Sequence, residues 1–297
     1  MSEQAVLYDA PGPKAKRRTL IGTAAAVVFI AGLVYVVISR LAERDQFAGA
    51  KWSPLLNPAD EDFSLVWEVI AAGLVNTLKA AALAMVLSVV LGTLIAVARL
   101  SLGKTGRIPL IGLVELLRGL PVVIMIYFAV RVLPDVGVDL SFLPGGGVLW
   151  GLVIGLTAYN MVIFAEVVRA GVLSLPRGQR EAALATGLTS GQTMRLVLLP
   201  QAFRVMLPAI ISQLVVVLKD TSLITFVGNY EDLLGNGENI VQNLDNPIQT
   251  FTVIALIYIA INYGLSKLAQ AIQRRQARAG RSAAERVEVQ TTTTTGA

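Results

Sequence analysis

Three clusters of ionisable and hydroxyl residues lie inside stretches of sequence that are otherwise apolar. Glu115 precedes Arg118 by three residues, Glu166 precedes Arg169 by three, and Lys219 begins a Lys-Asp-Thr-Ser run. Ionisable groups cost several kcal/mol in hydrocarbon, so they normally face the interior of a helix bundle and pair there. We therefore expect these clusters either to form ion pairs or to contact a polar ligand.

The spacing within each cluster indicates whether its residues form an ion pair or contact a polar ligand. Residues three apart lie on one helix face, which favours an ion pair within each Glu–Arg cluster, and we interpret both pairs as structural. Lys219 and Asp220 are adjacent and point to different faces, so each needs a partner elsewhere. Together with Thr221 and Ser222 they supply hydrogen-bond donors and an acceptor, which makes this run a candidate ligand path; structural pairing with other helices is the alternative.

Four further polar residues in apolar stretches are candidates for the same path, although such residues often only bond to neighbouring helices. They are Asn76, Thr77, Tyr159 and Asn160. Lys79 and Arg131 are interpreted instead as side chains that extend to the outer membrane interface.

The composition excludes several classes of function. The chain has 297 residues, 55% of them apolar, and 15% are charged, against about 25% in soluble domains. This predicts an all-α integral membrane protein. The sequence contains no cysteine and no histidine, which excludes disulfides, thiolate chemistry and imidazole metal sites, and no metal site is expected. A membrane enzyme is a distant alternative, because no nucleophile and base set is present.

A polar segment between two apolar runs begins with Glu181-Ala-Ala-Leu-Ala-Thr-Gly187. Alanine and leucine favour a short helix, and glycine tolerates the left-handed turn that ends one, so Gly187 is predicted to be a corner. Thr189 stands three residues before Gln192, which predicts a capping box at the start of a second helix. We expect that helix to end near Pro200, because a residue before proline is pushed out of the helical region.

A DNA-binding helix-turn-helix also begins with such a pattern. Uncharged runs of membrane length flank this segment, at 148–165 and 205–218, and they exclude a DNA-binding motif here. A plain interfacial loop remains an alternative. The segment resembles the cytoplasmic coupling loop of ABC-importer permeases, in which Glu-Ala-Ala, three residues, Gly, nine residues, Val-x-Leu-Pro recur. The resemblance rests on Glu181, Ala182, Ala183, Gly187, Val197, Leu199 and Pro200.

Other motifs resemble the polar amino-acid branch of that family. They are Glu115-Leu-Leu-Arg-Gly-Leu-Pro121, Ala165-Glu166, Arg169-Ala-Gly171, Gly178-Gln179, Pro200-Gln201 and Lys219-Asp-Thr-Ser-Leu223. Leu120 stands where the branch more often has threonine. The resemblance covers about residues 68 to 273 and implies a type I permease core of five helices.

The apolar runs predict six transmembrane helices: the five-helix core and one extra N-terminal helix. The predicted division is a cytoplasmic segment 1–19, the extra helix 20–39, an extracellular linker 40–66, the permease domain 67–273 with its coupling loop 169–204, and a disordered cytoplasmic tail 274–297. Within the domain, helices are expected at about 67–98, 108–133 with a kink at Pro121, 148–168, 205–227 and 247–266. Residues 228–246, between the last two helices, contain four acidic residues and no basic residue.

The distribution of Lys and Arg residues predicts how the protein is oriented in the membrane. Eighteen of the 25 basic residues fall in segments 1–19, 99–109, 169–204 and 267–297. The positive-inside rule then places both termini and the coupling loop in the cytoplasm. We therefore expect a multi-pass protein of the cytoplasmic membrane, and the basic net charge needs no nucleic-acid partner.

The resemblance implies the permease subunit of an ATP-driven importer of a polar amino acid, with glutamate favoured by Tyr159-Asn160. The chain has no Gly-x-x-x-x-Gly-Lys-Ser/Thr loop, so it is not itself an enzyme and binds no cofactor directly. ATP and Mg would be held by a dimer of partner ATPase subunits. A second permease subunit and an extracellular solute-binding protein are the other implied partners. A stand-alone secondary transporter or channel is the alternative.

Overall fold

The computed structural model describes the backbone of residues 12–294 and side chains as far as Arg274. The chain is helical, as its composition predicts. Five helices within this part are long and apolar enough to cross a membrane, and a sixth span arises if one bent pair is counted together. Residues 1–11 of the predicted cytoplasmic segment 1–19 lie outside the described residues.

The first helix, α1 (Pro13–Glu43), contains the predicted extra span and extends beyond it at both ends. None of its residues is buried against the rest of the chain. The linker that follows contains a short helix, α2 (Gly49–Leu56), which the sequence analysis missed. Its Leu55 is 1% exposed and packs with Val66, Ile70 and Ile240, so this part of the linker belongs to the core of the domain.

Helices α3 (Phe63–Ser101) and α4 (Lys104–Gly119) follow, and α4 is separated from α5 (Val122–Asp135) by a bend of 100°. The predicted kink at Pro121 is therefore a complete break. Leu120 and Pro121 both have extended backbone, with ψ of 134° and 139°. The ring of Pro121 disfavours helical geometry at the preceding residue, which explains why the helix stops here.

Helix α6 (Gly146–Leu173) is the most buried of the long helices and packs along α3. Gly92 of α3 permits this contact, because a Cβ at that position would lie 2.6 Å from the Cβ of Phe164. Small residues let helices in membranes approach closely and gain packing contacts. The main core cluster joins α3, α5, α6 and the next long helix; it includes Ala84, Ile126, Leu156, Phe164 and Leu218.

The short helix α7 (Arg177–Ala185) is followed by the long helix α8 (Ser190–Phe226). The prediction that the second helix of the coupling loop ends near Pro200, with a new helix at 205, is wrong, because α8 runs through both. A π-helical turn at Thr193–Leu198 precedes Pro200. Interruptions of this kind let a helix absorb a proline by bending instead of ending. The last turn, Thr221–Phe226, is 3-10 helix.

Two features of the C-terminal part were not predicted. The acidic segment 228–246 contains a helix, α9 (Leu233–Leu244), capped by Asp232 and packed on α3. The last helix, α10 (Pro247–Thr294), does not end at Ser266, and its backbone stays helical through the tail that was predicted to be disordered. That tail contains alanine, glutamine and arginine, which have high helix propensity.

Candidate functional site

The turn after α7 has the geometry that its sequence predicts. Gly187 has φ of +85°, in the left-handed region. The Gly187 N–H donates to the carbonyl of Leu184 at 3.0 Å, and the Leu188 N–H donates to that of Ala183 at 3.3 Å. These two bonds form a Schellman motif, which uses the free carbonyls at the helix end. The corner therefore depends on a residue without a Cβ.

Helix α8 begins with the predicted capping box. The Gln192 N–H donates to Thr189 Oγ1 at 3.3 Å, and the Thr189 N–H donates to Gln192 Oε1 at 2.9 Å. Further along, Gln201 Nε2 donates to Gln179 Oε1 at 3.2 Å. This bond connects α7 to α8 beyond the corner, so the two helices are fixed at both ends of the turn.

The predicted coupling residues divide by exposure. Glu181, Ala182 and Gly187 are exposed, Ala183 is 6% exposed and packs inward, and Pro200 is again exposed. Val197 and Leu199 are half-buried. A cavity of about 570 Å³ separates this surface from the ends of α3 and α6, with Arg180, Glu181 and Met194 in its wall. Helix α7, which we call the α7 ledge, is thus exposed along most of its length.

Glu166 is the centre of an ion-pair cluster beside this ledge. Its Oε2 accepts from Arg169 Nε at 2.9 Å, as predicted. Its Oε1 accepts from Arg99 Nη1 of α3, and it lies 3.3 Å from Arg118 Nη2 of α4. Arg118 also contacts Glu115 Oε1 at 3.4 Å, the other predicted pair. One carboxylate therefore joins α3, α4 and α6.

The run at 219–222 lies at the far end of α8. Lys219 is exposed and Asp220 is half-buried. Neither forms an ion pair with another helix among the described residues, so the partners expected elsewhere in this chain are not found. Thr221 Oγ1 donates to the carbonyl of Leu218 at 2.8 Å, and Ser222 Oγ donates to that of Lys219 at 2.6 Å. Lys219 is the cation of this run, and its exposed side chain is free to contact another molecule.

The other path candidates make contacts between helices. Asn160 is fully buried; its Nδ2 donates to the carbonyl of Leu156 at 2.8 Å, and its Oδ1 accepts from Gln213 Nε2 at 2.9 Å. Tyr159 is half-buried next to it. Asn160 therefore ties α6 to α8, and the structure does not bring it to the 219–222 run.

Asn76 and Thr77 hold the start of α9. Asn76 Nδ2 donates to the carbonyl of Glu231 at 2.9 Å, and Thr77 Oγ1 accepts from the Leu233 N–H at 2.9 Å. Their polar atoms thus bond to the backbone of Glu231 and Leu233.

Sequence reasoning assigned no role to Arg99, Gln201 or Asp232. The pattern at 232–244 could have revealed α9, because an aspartate cap precedes apolar residues at helical spacing.

Comparison with known families gives one match. Residues 88–278 match the family described as the binding-protein-dependent transport system inner membrane component. This range contains the ledge, the Glu166 cluster and the 219–222 run. It begins after α1, α2 and the first part of α3.

Several curated proteins are similar over most of the chain. A glutamate transport system permease protein of Corynebacterium glutamicum is 37% identical over 244 residues, which cover 82% of this chain and 85% of that protein. A glutamate/aspartate import permease protein of Escherichia coli O157:H7 is 31% identical over 69% of this chain and 92% of its own length. A glutamine transport system permease protein of Escherichia coli K12 is 32% identical over 72% and 97%.

Solved structures are also similar to this chain. One is a chain of an amino acid ABC transporter crystallised with histidines, 27% identical, with a TM-score of 0.62. The match covers 73% of this chain and 99% of that one. A chain of the MetNI methionine ABC transporter, 20% identical with a TM-score of 0.51, shares the fold.

Proposed function

The chain belongs to the family of binding-protein-dependent transport system inner membrane components and is a permease of the polar amino-acid ABC importer type, and we propose that it forms the translocation path for a glutamate-like amino acid. The choice of substrate is supported by relatives named for glutamate, aspartate and glutamine transport. The exposed ledge of α7 with its Gly187 corner is the observation that carries the proposal. An exposed helix fixed at both ends suits the transfer of force from a soluble partner.

The ledge is the docking site for ATPase subunits in this proposal. Glu181 and Ala182 face outward, while Ala183 anchors the helix to the bundle. No Gly-x-x-x-x-Gly-Lys-Ser/Thr loop occurs in the sequence, and no group of three His, Cys, Asp or Glu side chains in the described residues is arranged to hold a metal. ATP and Mg are therefore assigned to a pair of partner subunits, whose closure on ATP moves α7.

The path runs along the surface of α8 between this chain and a second permease subunit, identical or related. Lys219 is exposed on α8, and Ser212, seven residues earlier, is exposed on the same face, with exposed Val216 between them. An exposed ammonium group offers a counter-charge to a substrate carboxylate, and Asp220 offers an acceptor to its amine. An exposed lysine in a membrane-length helix is costly against lipid, which supports its placement at a protein interface.

The orientation follows the distribution of basic residues, with both termini and α7 in the cytoplasm. The connection after α8, with α9, then lies outside. There it meets a solute-binding protein, which delivers the amino acid. The protein accordingly acts in the cytoplasmic membrane.

Co-purification tests the assembly. The full chain, extracted in mild detergent without cross-linking, should bring along a soluble ATPase that mass spectrometry identifies. The isolated complex, reconstituted in liposomes with ATP inside and binding protein outside, should take up glutamate. A chain that is stable and transports alone would instead support a secondary transporter and overturn the proposal.

A further inference from the structure

A polar groove of about 360 Å³ opens between α9 and the segment that joins it to α8. Its α9 wall consists of Gly235, Glu238, Asn239 and Gln242, which recur at helical spacing. The opposite face of α9, which includes Leu233 and Ile240, is buried against the bundle. The groove therefore lies on the free side of a helix whose other side is anchored.

The groove carries negative charge. Glu231 is exposed, Glu238 is half-buried, and both line it. Residues 228–246 contain four acidic residues and no lysine or arginine. Asp245 is paired with Lys51 at 3.2 Å, but none of the ion pairs between described side chains involves Glu231 or Glu238. Within the described part of the chain, the two glutamates of the groove therefore have no ion-pair partner.

A third carboxyl lies directly behind the lining. Asp232 is fully buried, and its Oδ1 accepts from Thr225 Oγ1 at 3.1 Å and from the Gly235 N–H at 2.9 Å. Thr225 and Gly235 are both lining residues. The other oxygen, Oδ2, has no hydrogen-bond partner within the described residues. Asp232 therefore holds two residues of the groove lining, Thr225 and Gly235, from behind.

The adjacent Tyr230 reports the same environment. Burial raises the pKa of its hydroxyl to about 12, and the negative charge of Asp232 contributes to the rise. Both effects disfavour a further negative charge at this position.

The sign of the charge decides between two occupants. An acidic groove repels the side chain of a glutamate-like substrate, so it is a poor entry site for the transported molecule. Carboxylate and amide oxygens instead suit the ammonium or guanidinium group of a protein side chain. On the basis of the proposed function and orientation, we propose that the groove lined by Glu231 and Glu238 receives a basic side chain of the extracellular solute-binding protein and fixes its docking position.

The test uses the complete transporter in liposomes, with the binding protein that supports uptake by the wild-type assembly added at increasing concentration. The variant Glu231→Gln/Glu238→Gln keeps the size and hydrogen bonding of both side chains and removes their charge. We expect the concentration for half-maximal uptake to rise at least fivefold, with the maximal rate unchanged. Added salt should weaken the wild type more than the variant, because it screens this attraction. Glu61→Gln, an exposed acid of the same side outside the groove, should behave as wild type.

A second measurement uses the absence of cysteine from the chain. Asn239→Cys places a single thiol in the groove, and cationic methanethiosulfonate should modify it several times faster than the anionic reagent. Binding protein should protect this thiol. Unchanged half-saturation in the double variant, or a thiol that stays accessible at saturating binding protein, would overturn the docking site. Wild-type uptake that needs no binding protein would overturn the proposed function and the docking site with it.

Discussion

Arg99 of α3 and Glu166 of α6 form an ion pair at the end of the bundle that carries the α7 ledge. The side chains are 11% and 25% exposed, so the pair is largely withdrawn from water. Arg118 of α4 and Arg169 of α6 share the same carboxylate. Three guanidinium groups therefore contact one anion, which connects three helices.

Removal of that anion should be costly. In Glu166→Gln the buried guanidinium of Arg99 loses its counter-charge, and we expect the free energy of unfolding to fall by about 3 kcal/mol. Thermal unfolding of the detergent-solubilised chain measures the loss. Glu115→Gln removes an exposed partner of Arg118 and should cost less than about 1 kcal/mol. Equal losses in both variants would show that Glu166 is not the centre of the cluster.

The Gly187 corner gives a test of coupling. Gly187→Val forces a β-branched residue into positive φ, which is strongly disfavoured, so the α7 ledge should be displaced while the membrane helices still fold. Uptake and the stimulation of ATP hydrolysis by transport should fall together. Gly187→Asn is the matched control, because asparagine tolerates this backbone region. Uptake by Gly187→Val within a factor of two of wild type would remove the corner from the coupling mechanism. Glu181→Ala should have a milder effect, since it changes no backbone geometry.

The sequence predicts this corner well because its signals are local. A left-handed glycine and a capping box each involve residues within four positions, and both occur as expected at Gly187 and Thr189. The Glu–Arg pairs three residues apart were predictable for the same reason. The Arg99–Glu166 pair spans 67 positions, and nothing local in the sequence indicates it. The expected end of a helix at Pro200 failed because a π turn, which propensity does not reveal, accommodates the proline.

The two helices of the N-terminal extension, α1 and α2, should respond differently to deletion. Helix α1 has no buried residue, so deletion of residues 1–43 should lower membrane yield and preserve transport per assembled complex. Deletion of 1–56 also removes α2, whose Leu55 is buried and whose Lys51 Nζ donates to the carbonyl of Asp245 at 2.8 Å. That second truncation should lower thermal stability, because it opens the core beside α9. If complexes with the shorter deletion assemble but do not transport, α1 is part of the path or of the subunit contact.

Asp232 predicts a pH effect on stability with a definite sign. Burial raises the pKa of this carboxyl above its usual value, and hydrogen bonds from Gly235 and Thr225 only partly oppose the rise. The folded state therefore binds the proton more tightly than the unfolded chain, and the stability this supplies below about pH 4 is lost as pH rises through the folded-state pKa. Asp232→Asn should gain thermal stability relative to wild type as pH rises from about 4 to 8.

Asp139 provides the control of opposite sign. The backbone N–H and the hydroxyl of Ser141 bond to its carboxylate and lower its pKa. The stability it contributes is present above the unfolded pKa and is lost as pH falls through the folded one. Asp139→Asn should therefore lose stability relative to wild type as pH rises from the folded-state pKa to about 4, and the difference should stay level from about pH 5 to 8. A constant difference between Asp232→Asn and wild type at all pH values would contradict the assignment of a raised pKa.

Lys219 tests the translocation path. A low-dielectric passage needs a donor for the substrate carboxylate, since an unpaired ionic group there is strongly disfavoured. Thr221 and Ser222 already donate their hydroxyl protons to carbonyl groups of α8, which leaves the exposed Lys219 as the main donor. We expect Lys219→Met to assemble, to bind ATPase subunits and to hydrolyse ATP at a basal rate. Uptake should fall to a tenth of wild type or less, a loss of about 1.4 kcal/mol or more in transition-state stabilisation.

Assembly and uptake should be measured on the same reconstituted sample. Loss of a structural lysine would lower assembly and leave uptake per assembled complex normal, whereas loss of a path residue would lower uptake in assembled complexes. Lys79→Met is the matched control: Lys79 is also an exposed lysine in a membrane-length helix, and its removal should leave uptake per complex unchanged. Poor assembly of Lys219→Met with normal uptake per assembled complex would make Lys219 part of the scaffold. The path would then have to follow another face of the bundle, because no other basic residue lies within α8 between Arg204 and its end at Phe226.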